Sequence, residues 1–94
     1  MKYRVKLSPA STDAFTNIHP EIRKFLKEGM KYLAENHFAG KTLEDEFIGF
    51  RSYKIKRYRI VYKVDDKEKV IRIYMLGHRK IIYEVLKAMI KKSL

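Results

Sequence analysis

The sequence has no cysteine among its 94 residues. That excludes a disulfide framework, a thiolate nucleophile and any Cys-ligated metal, and it fits a reducing, cytoplasmic setting. No apolar run approaches the roughly 18 residues that span a bilayer. The opening MKYRVKLSPAS alternates basic and apolar residues, unlike the ordered regions of a signal peptide. A Gly-rich phosphate loop and a His-x-x-x-His zinc helix are both missing. His19, His37 and His78 are scattered along the chain, so no metal and no other cofactor is expected. No serine stands in a nucleophile elbow. Repeats, linkers and low-complexity tracts are also absent, and this length is expected to form one small domain, residues 1–94.

Acid is scarce in one half only. The formal net charge is +11. Residues 1–46 carry eight Lys or Arg against seven Asp or Glu, whereas residues 47–94 carry fourteen against four. The span 47–64 holds six basic residues and no acid. A generally charged surface would account for the balanced first half, not for the lopsided second. The asymmetry points to an anionic partner: nucleic acid, an acidic protein or a membrane surface. Glu44 and Glu46 could pair as acid and base, but a solvated turn is the ordinary explanation for both.

The hydrophobic pattern predicts the order β-α-α-β-β-β-α. Residues 2–7 alternate, with Tyr3, Val5 and Leu7 on one side, as a half-buried strand does. Ser8-Pro9 starts a helix over residues 9–17, Ser as N-cap and Pro in the first turn. His19-Pro20-Glu21 starts a second, to residue 35 or 36, with Ile22, Phe25, Leu26 and Leu33 inward and Gly29 allowing close packing. The connection between them is short enough for a helix hairpin. Residues 37–49 read as a loop. Strands over 51–56 and 57–64 flank a tight Lys56-Arg57 turn, which lacks the Gly or Asn such hairpins prefer. A strand over 70–76 ends at Gly77, and residues 78–94 read as a helix with an apolar stripe (Ile82, Val85, Leu86, Met89, Ile90) that predicts docking. The fold class is therefore α+β: a four-stranded, mostly antiparallel sheet with the helix hairpin on one face and a C-terminal helix.

Alternation assigns the sheet faces. Tyr53, Ile55, Tyr58, Ile60, Tyr62 and Val64 point to the helices. Lys54, Arg59, Lys63 and, on the last strand, Arg72 point the other way, onto a face expected to be bare, concave and basic. Such a face can do chemistry on RNA without metal. The 2′-hydroxyl attacks the adjacent phosphate, guanidinium groups stabilise the charge that builds on the phosphorane oxygens, and a base and an acid move the two protons. Tyrosine can stack on a nucleobase or donate a proton. Taken singly, each Lys or Arg is more often a solvated or phosphate-positioning group than a catalyst.

Several stretches together carry a resemblance. YKIK followed by YRIVYKV, then LGHRKIIYEV, with the opening YRVKLSPAS, the helix PEIRKFLKEGMKYLAEN and the FAGK loop, resemble the RelE/ParE superfamily of type II toxins over nearly the whole chain. The paired signals, Tyr-Arg before two apolar residues and Tyr, and Gly-His-Arg-x-x-x-Tyr, make it specific. The resemblance to the RelE branch implies an mRNA interferase: a metal-independent endoribonuclease that cuts mRNA in the ribosomal A site. It implies a scissile-phosphate or proton-transfer role for Lys54, transition-state stabilisation by Arg59, a second phosphate contact from Arg79, and Tyr83 against the substrate base. Lys56, Arg57, Lys63, Arg72, His78 and Lys80 are expected to bind RNA around them. Lys56 matches a second family lysine, Lys63 supplies positioning charge, and a backbone hydrogen bond is the ordinary alternative for His78. The implied partners are the ribosome, mRNA and a cognate acidic antitoxin, RelB-like or of another family, with no membrane involved. The alternative within the superfamily is a ParE-like inhibitor of DNA gyrase without nuclease activity.

Overall fold

The computed structural model describes residues 2–92. Its elements are β1 (Arg4–Leu7), α1 (Pro9–Thr16), α2 (Pro20–Glu35), β2 (Lys41–Thr42), β3 (Arg51–Ile55), β4 (Tyr58–Asp65), β5 (Val70–His78) and α3 (Ile82–Lys92), with a 3-10 turn at Asp45–Phe47. The strands form one sheet in the order β1-β5-β4-β3-β2. β1 runs parallel to β5, and every other pairing is antiparallel. The α+β class and the mostly antiparallel sheet are as expected. The strand count is five rather than four, because Lys41 and Thr42 of the expected loop pair with Ser52 and Arg51. A two-residue strand has no alternation to read.

Local chemistry explains where the helices begin. The Ser8 hydroxyl accepts the Ser11 N–H at 3.0 Å, and Pro9 occupies the first turn, where a missing N–H costs nothing. At α2 the imidazole Nδ1 of His19 accepts the Glu21 N–H at 3.2 Å, ahead of Pro20. Gly29 lets α2 lie directly on β3, since an added Cβ would overlap Ile55 Cδ1. The hairpin's Leu26, Met30 and Leu33 pack with Ile60, Tyr62, Ile71 and Ile73 of the sheet, joined by Tyr53, Ile55, Tyr58 and Val64. Burial of each such side chain is worth about 1.5–3 kcal/mol. Phe25 departs from the expectation: it is 43% exposed and lies under the Lys56 ammonium, 4.2 Å from its ring centroid. That contact turns the Lys56 side chain to the hairpin side, on a backbone with a positive φ of 54°, a conformation that disfavours a side chain.

The opposite sheet face is not bare. α3 docks there, burying Ile82 and Leu86 against Phe50 and Val61, with Tyr74, Met75, Tyr83 and Ile90 packed around them. β5 carries a bulge at this place: Val61 pairs with Met75 but Tyr62 pairs with Ile73. The extra residue lets Tyr74 and Met75 both face α3, which strict alternation forbids. Gly77 does not end β5 either. The strand continues to His78 because β4 offers Arg59 and Tyr58 as partners, so the helix starts at Ile82 and not at His78. Ser93 and Leu94, which the sequence places in that helix, lie outside the described residues.

Candidate functional site

Lys54 on β3 and Arg59 on β4 are cross-strand neighbours, and Arg59 in turn faces Gly77 on β5. Their flanking residues Tyr53, Ile55, Tyr58 and Ile60 belong to the hairpin-side core, so alternation puts Lys54 and Arg59 on the α3 side. The Arg79 N–H donates to the Arg57 carbonyl at 2.7 Å. This extends the β4–β5 ladder by one residue and brings Arg57 and Arg79 opposite each other at the same end of the sheet. Lys54, Arg57, Arg79 and Lys80 are exposed and Arg59 is half-buried.

The charge at this end is uncompensated. Two ion pairs form among the described residues, Arg72–Asp65 at 3.3 Å and Lys87–Glu46 at 3.6 Å. Neither involves Lys54, Arg57, Arg59, Arg79 or Lys80. Five cations on adjoining positions with no carboxylate among them make a local positive potential that favours an anion. Fixed guanidinium groups hold phosphate oxygens with paired N–H bonds.

Tyr83 reaches the same neighbourhood from the first turn of α3. Its hydroxyl donates to Ser52 Oγ at 3.1 Å, and its ring centroid lies 5.8 Å from that of Phe47. Ser52 is buried and precedes Lys54 by two residues, so both face α3. Sequence reasoning overlooked Ser52, although its alternation with Lys54 was there to be read.

Other expected site residues lie elsewhere. Lys63 is four residues along β4 from Arg59, about 13 Å at strand rise, with its ammonium 4.5 Å from the Phe50 ring centroid. It pairs across strands with Arg72, whose guanidinium bonds Asp65. The Asp65 carboxyl is held below the ordinary carboxylate range, chiefly by the Glu68 N–H and further by Arg72. The apolar cluster under α3 stands between these two basic groups, so the single stripe of the sequence is split in the fold. Lys56 sits on the hairpin side over Phe25. His78 pairs with Tyr58, their rings edge-on at 5.6 Å, which places it on the hairpin side as well. Its Nδ1 accepts the Lys80 N–H at 3.2 Å.

Among the described residues no three His, Asp or Glu side chains gather as a metal site, and no helix is long and apolar enough to cross a membrane. A groove of about 650 Å³ lies along β1, lined by Lys2, Arg4, Lys6 and Lys31 over Val5, Leu7, Met30 and Ala34. It lies along the β1 edge of the sheet, across β5 and β4 from Lys54 on β3.

Known proteins share this fold. The profile of the family described as the ParE toxin of the type II toxin-antitoxin system, parDE, matches residues 5–83. The toxin-antitoxin complex RelBE2 from Mycobacterium tuberculosis contains a chain that is 25% identical, with a TM-score of 0.79 over 84% of this chain and 100% of that one. The archaeal RelE-RelB complex from Pyrococcus horikoshii gives 26% identity and a TM-score of 0.67 over 84% and 97%. A free E. coli RelE toxin carrying two arginine substitutions gives 20% identity and a TM-score of 0.80 over the whole of both chains, a likeness of fold. No curated protein matches the chain.

Proposed function

Since this chain belongs to the ParE toxin family of type II toxin-antitoxin systems, within the RelE/ParE superfamily, we propose that it is a toxin of the RelE type, cutting mRNA on the ribosome. The observation that carries this reading is the unneutralised set Lys54, Arg57, Arg59, Arg79 and Lys80 at one end of the sheet. The 2′-hydroxyl gives its proton to a base as its oxygen attacks the adjacent phosphorus, the bond to the 5′-oxygen breaks, and that oxygen takes a proton from an acid, leaving a 2′,3′-cyclic phosphate and a free 5′-hydroxyl. Arg59 and Arg79 stabilise the phosphorane charge. Lys54 serves the phosphate or a proton transfer, and Tyr83 takes the role of stacking on the substrate base. Lys63 and Arg72 hold more distant phosphates as point charges.

The resemblance to ParE toxins carries a second reading, inhibition of DNA gyrase. The two separate in one pair of assays. The first reading predicts mRNA cleavage on translating ribosomes with undisturbed supercoiling by purified gyrase; inhibition of gyrase without cleavage would replace it. Under either reading the cognate partner is an acidic antitoxin. The M. tuberculosis and P. horikoshii relatives are seen in toxin-antitoxin complexes, and the cationic rim of the β1 groove suits acidic side chains. Co-expression with an antitoxin should restore growth.

A further inference from the structure

Gly77 has no structural reason to be glycine. Its backbone is not in the left-handed region, unlike that of Gly49 at φ 95°. A Cβ at Gly29 would overlap Ile55, and one at Gly40 would overlap the Tyr62 ring, whereas at Gly77 it would meet only Ile82 Cδ1 at 3.6 Å, an ordinary contact. Yet Gly77 lies inside β5, where glycine is disfavoured because it packs nothing and loses the most backbone freedom on folding. A Cβ at Gly77 would fit without overlap, beside Ile82.

Its surroundings say what the space suits. Arg59 is the cross-strand partner of Gly77. Arg79 follows two residues along, just past the end of β5 at His78, with its N–H bonded to the Arg57 carbonyl. Ile82 of α3 closes the apolar flank. We propose that the bare backbone of Gly77 is the floor of the seat for the reacting phosphodiester, a positioning residue that lets the phosphate sink between Arg59 and Arg79. This rests on the RNA-cutting reading above and adds to it the place of the phosphate. A glycine floor admits a tetrahedral group to van der Waals contact with the strand; any side chain there lifts that group away from both guanidiniums. A displacement of about 1 Å is enough to cost ~10²-fold in rate.

The test compares wild type, Gly77→Ala, Gly77→Val and Arg59→Ala on programmed ribosomes in single turnover, with a thermal melt of each protein. A second arm measures binding to ribosomes whose mRNA carries a 2′-deoxynucleotide at the cut, so that chemistry is blocked. Gly77→Ala should melt no lower than wild type and cut about 10-fold more slowly, and Gly77→Val about 10²-fold more slowly. Ribosome binding should stay within a few-fold, which a loss of fold would not leave intact. Folded Gly77 variants that cut at the wild-type rate while Arg59→Ala is dead would overturn the seat and leave the RNA-cutting reading standing. A Gly77→Ala protein that melts well below wild type would overturn it too, by giving glycine a structural reason. Failure of wild type itself to cut would remove both.

Discussion

Single side chains carry consequences out of proportion to their size. Tyr62 is wholly buried; its hydroxyl accepts the Gly40 N–H at 2.8 Å and donates to the His37 carbonyl at 2.9 Å, tying the 37–40 segment to the centre of the sheet. Tyr62→Phe leaves both backbone groups without that partner and should cost about 1–3 kcal/mol in denaturant unfolding, with an unchanged fold by circular dichroism. Burial also raises the Tyr62 phenol above its ordinary value. That contribution to stability is present below pH 10 and is lost as pH rises through the folded value. Asp65 behaves in the opposite sense. Its folded value lies below the ordinary 3.8, so its contribution is present above that pH and is lost as pH falls through the folded value. Asp65→Asn keeps an acceptor for the Glu68 N–H but loses the charge facing Arg72. The gap in melting temperature between wild type and this variant should therefore be widest near neutrality and narrow as pH falls below 3.8; a gap that widens on acidification would contradict the assignment. Such residues were only partly legible beforehand. Alternation in the sequence put Tyr62 inward and Arg59 outward, but the partners of the Tyr62 hydroxyl come from a loop 22 and 25 residues away with no periodicity to place it.

At the scale of elements, α3 decides what the basic face looks like. Its stripe of Ile82, Leu86 and Ile90 marked it in the sequence as a docking helix, yet an amphipathic stripe does not name the surface it will cover. The bulge at Tyr74 and Met75 builds that surface, and a bulge leaves only a doubled apolar position as its trace. The same limit hid the split between the Lys54–Arg59 and Lys63–Arg72 groups. The β3–β4 turn was legible as tight, but its backbone solution, Lys56 at positive φ under a cation–π contact with Phe25, depends on α2 and could not be read locally. Leu86→Ala should loosen α3 selectively. Truncating a buried Leu costs about 2–5 kcal/mol, and amide exchange should accelerate throughout α3 while α2 stays protected. Tyr83→Phe removes the bond to Ser52 and should speed exchange in the first turn of α3 only. Equal acceleration in α2 would show that α3 is not a separable layer.

For the whole molecule, fold and function part company. The α+β order, the helix hairpin and the antiparallel meander were readable because long periodic segments dominate them, and the family match at 5–83 covers the same elements. The sheet itself serves any chemistry that needs cations on a rigid surface. What supports the proposed RNA-cutting reading is the set of five cations left without carboxylates at one end of it. Those charges should also make ribosome association fall with added salt. The central claim is tested most directly by mapping mRNA ends on translating ribosomes for wild type, Arg59→Ala and Arg79→Ala. Wild type should generate new ends within the A-site codon, and each substitution should lower their yield in single turnover about 10²- to 10³-fold with melting temperature preserved. Undiminished cleavage by folded Arg59→Ala and Arg79→Ala proteins would contradict the account.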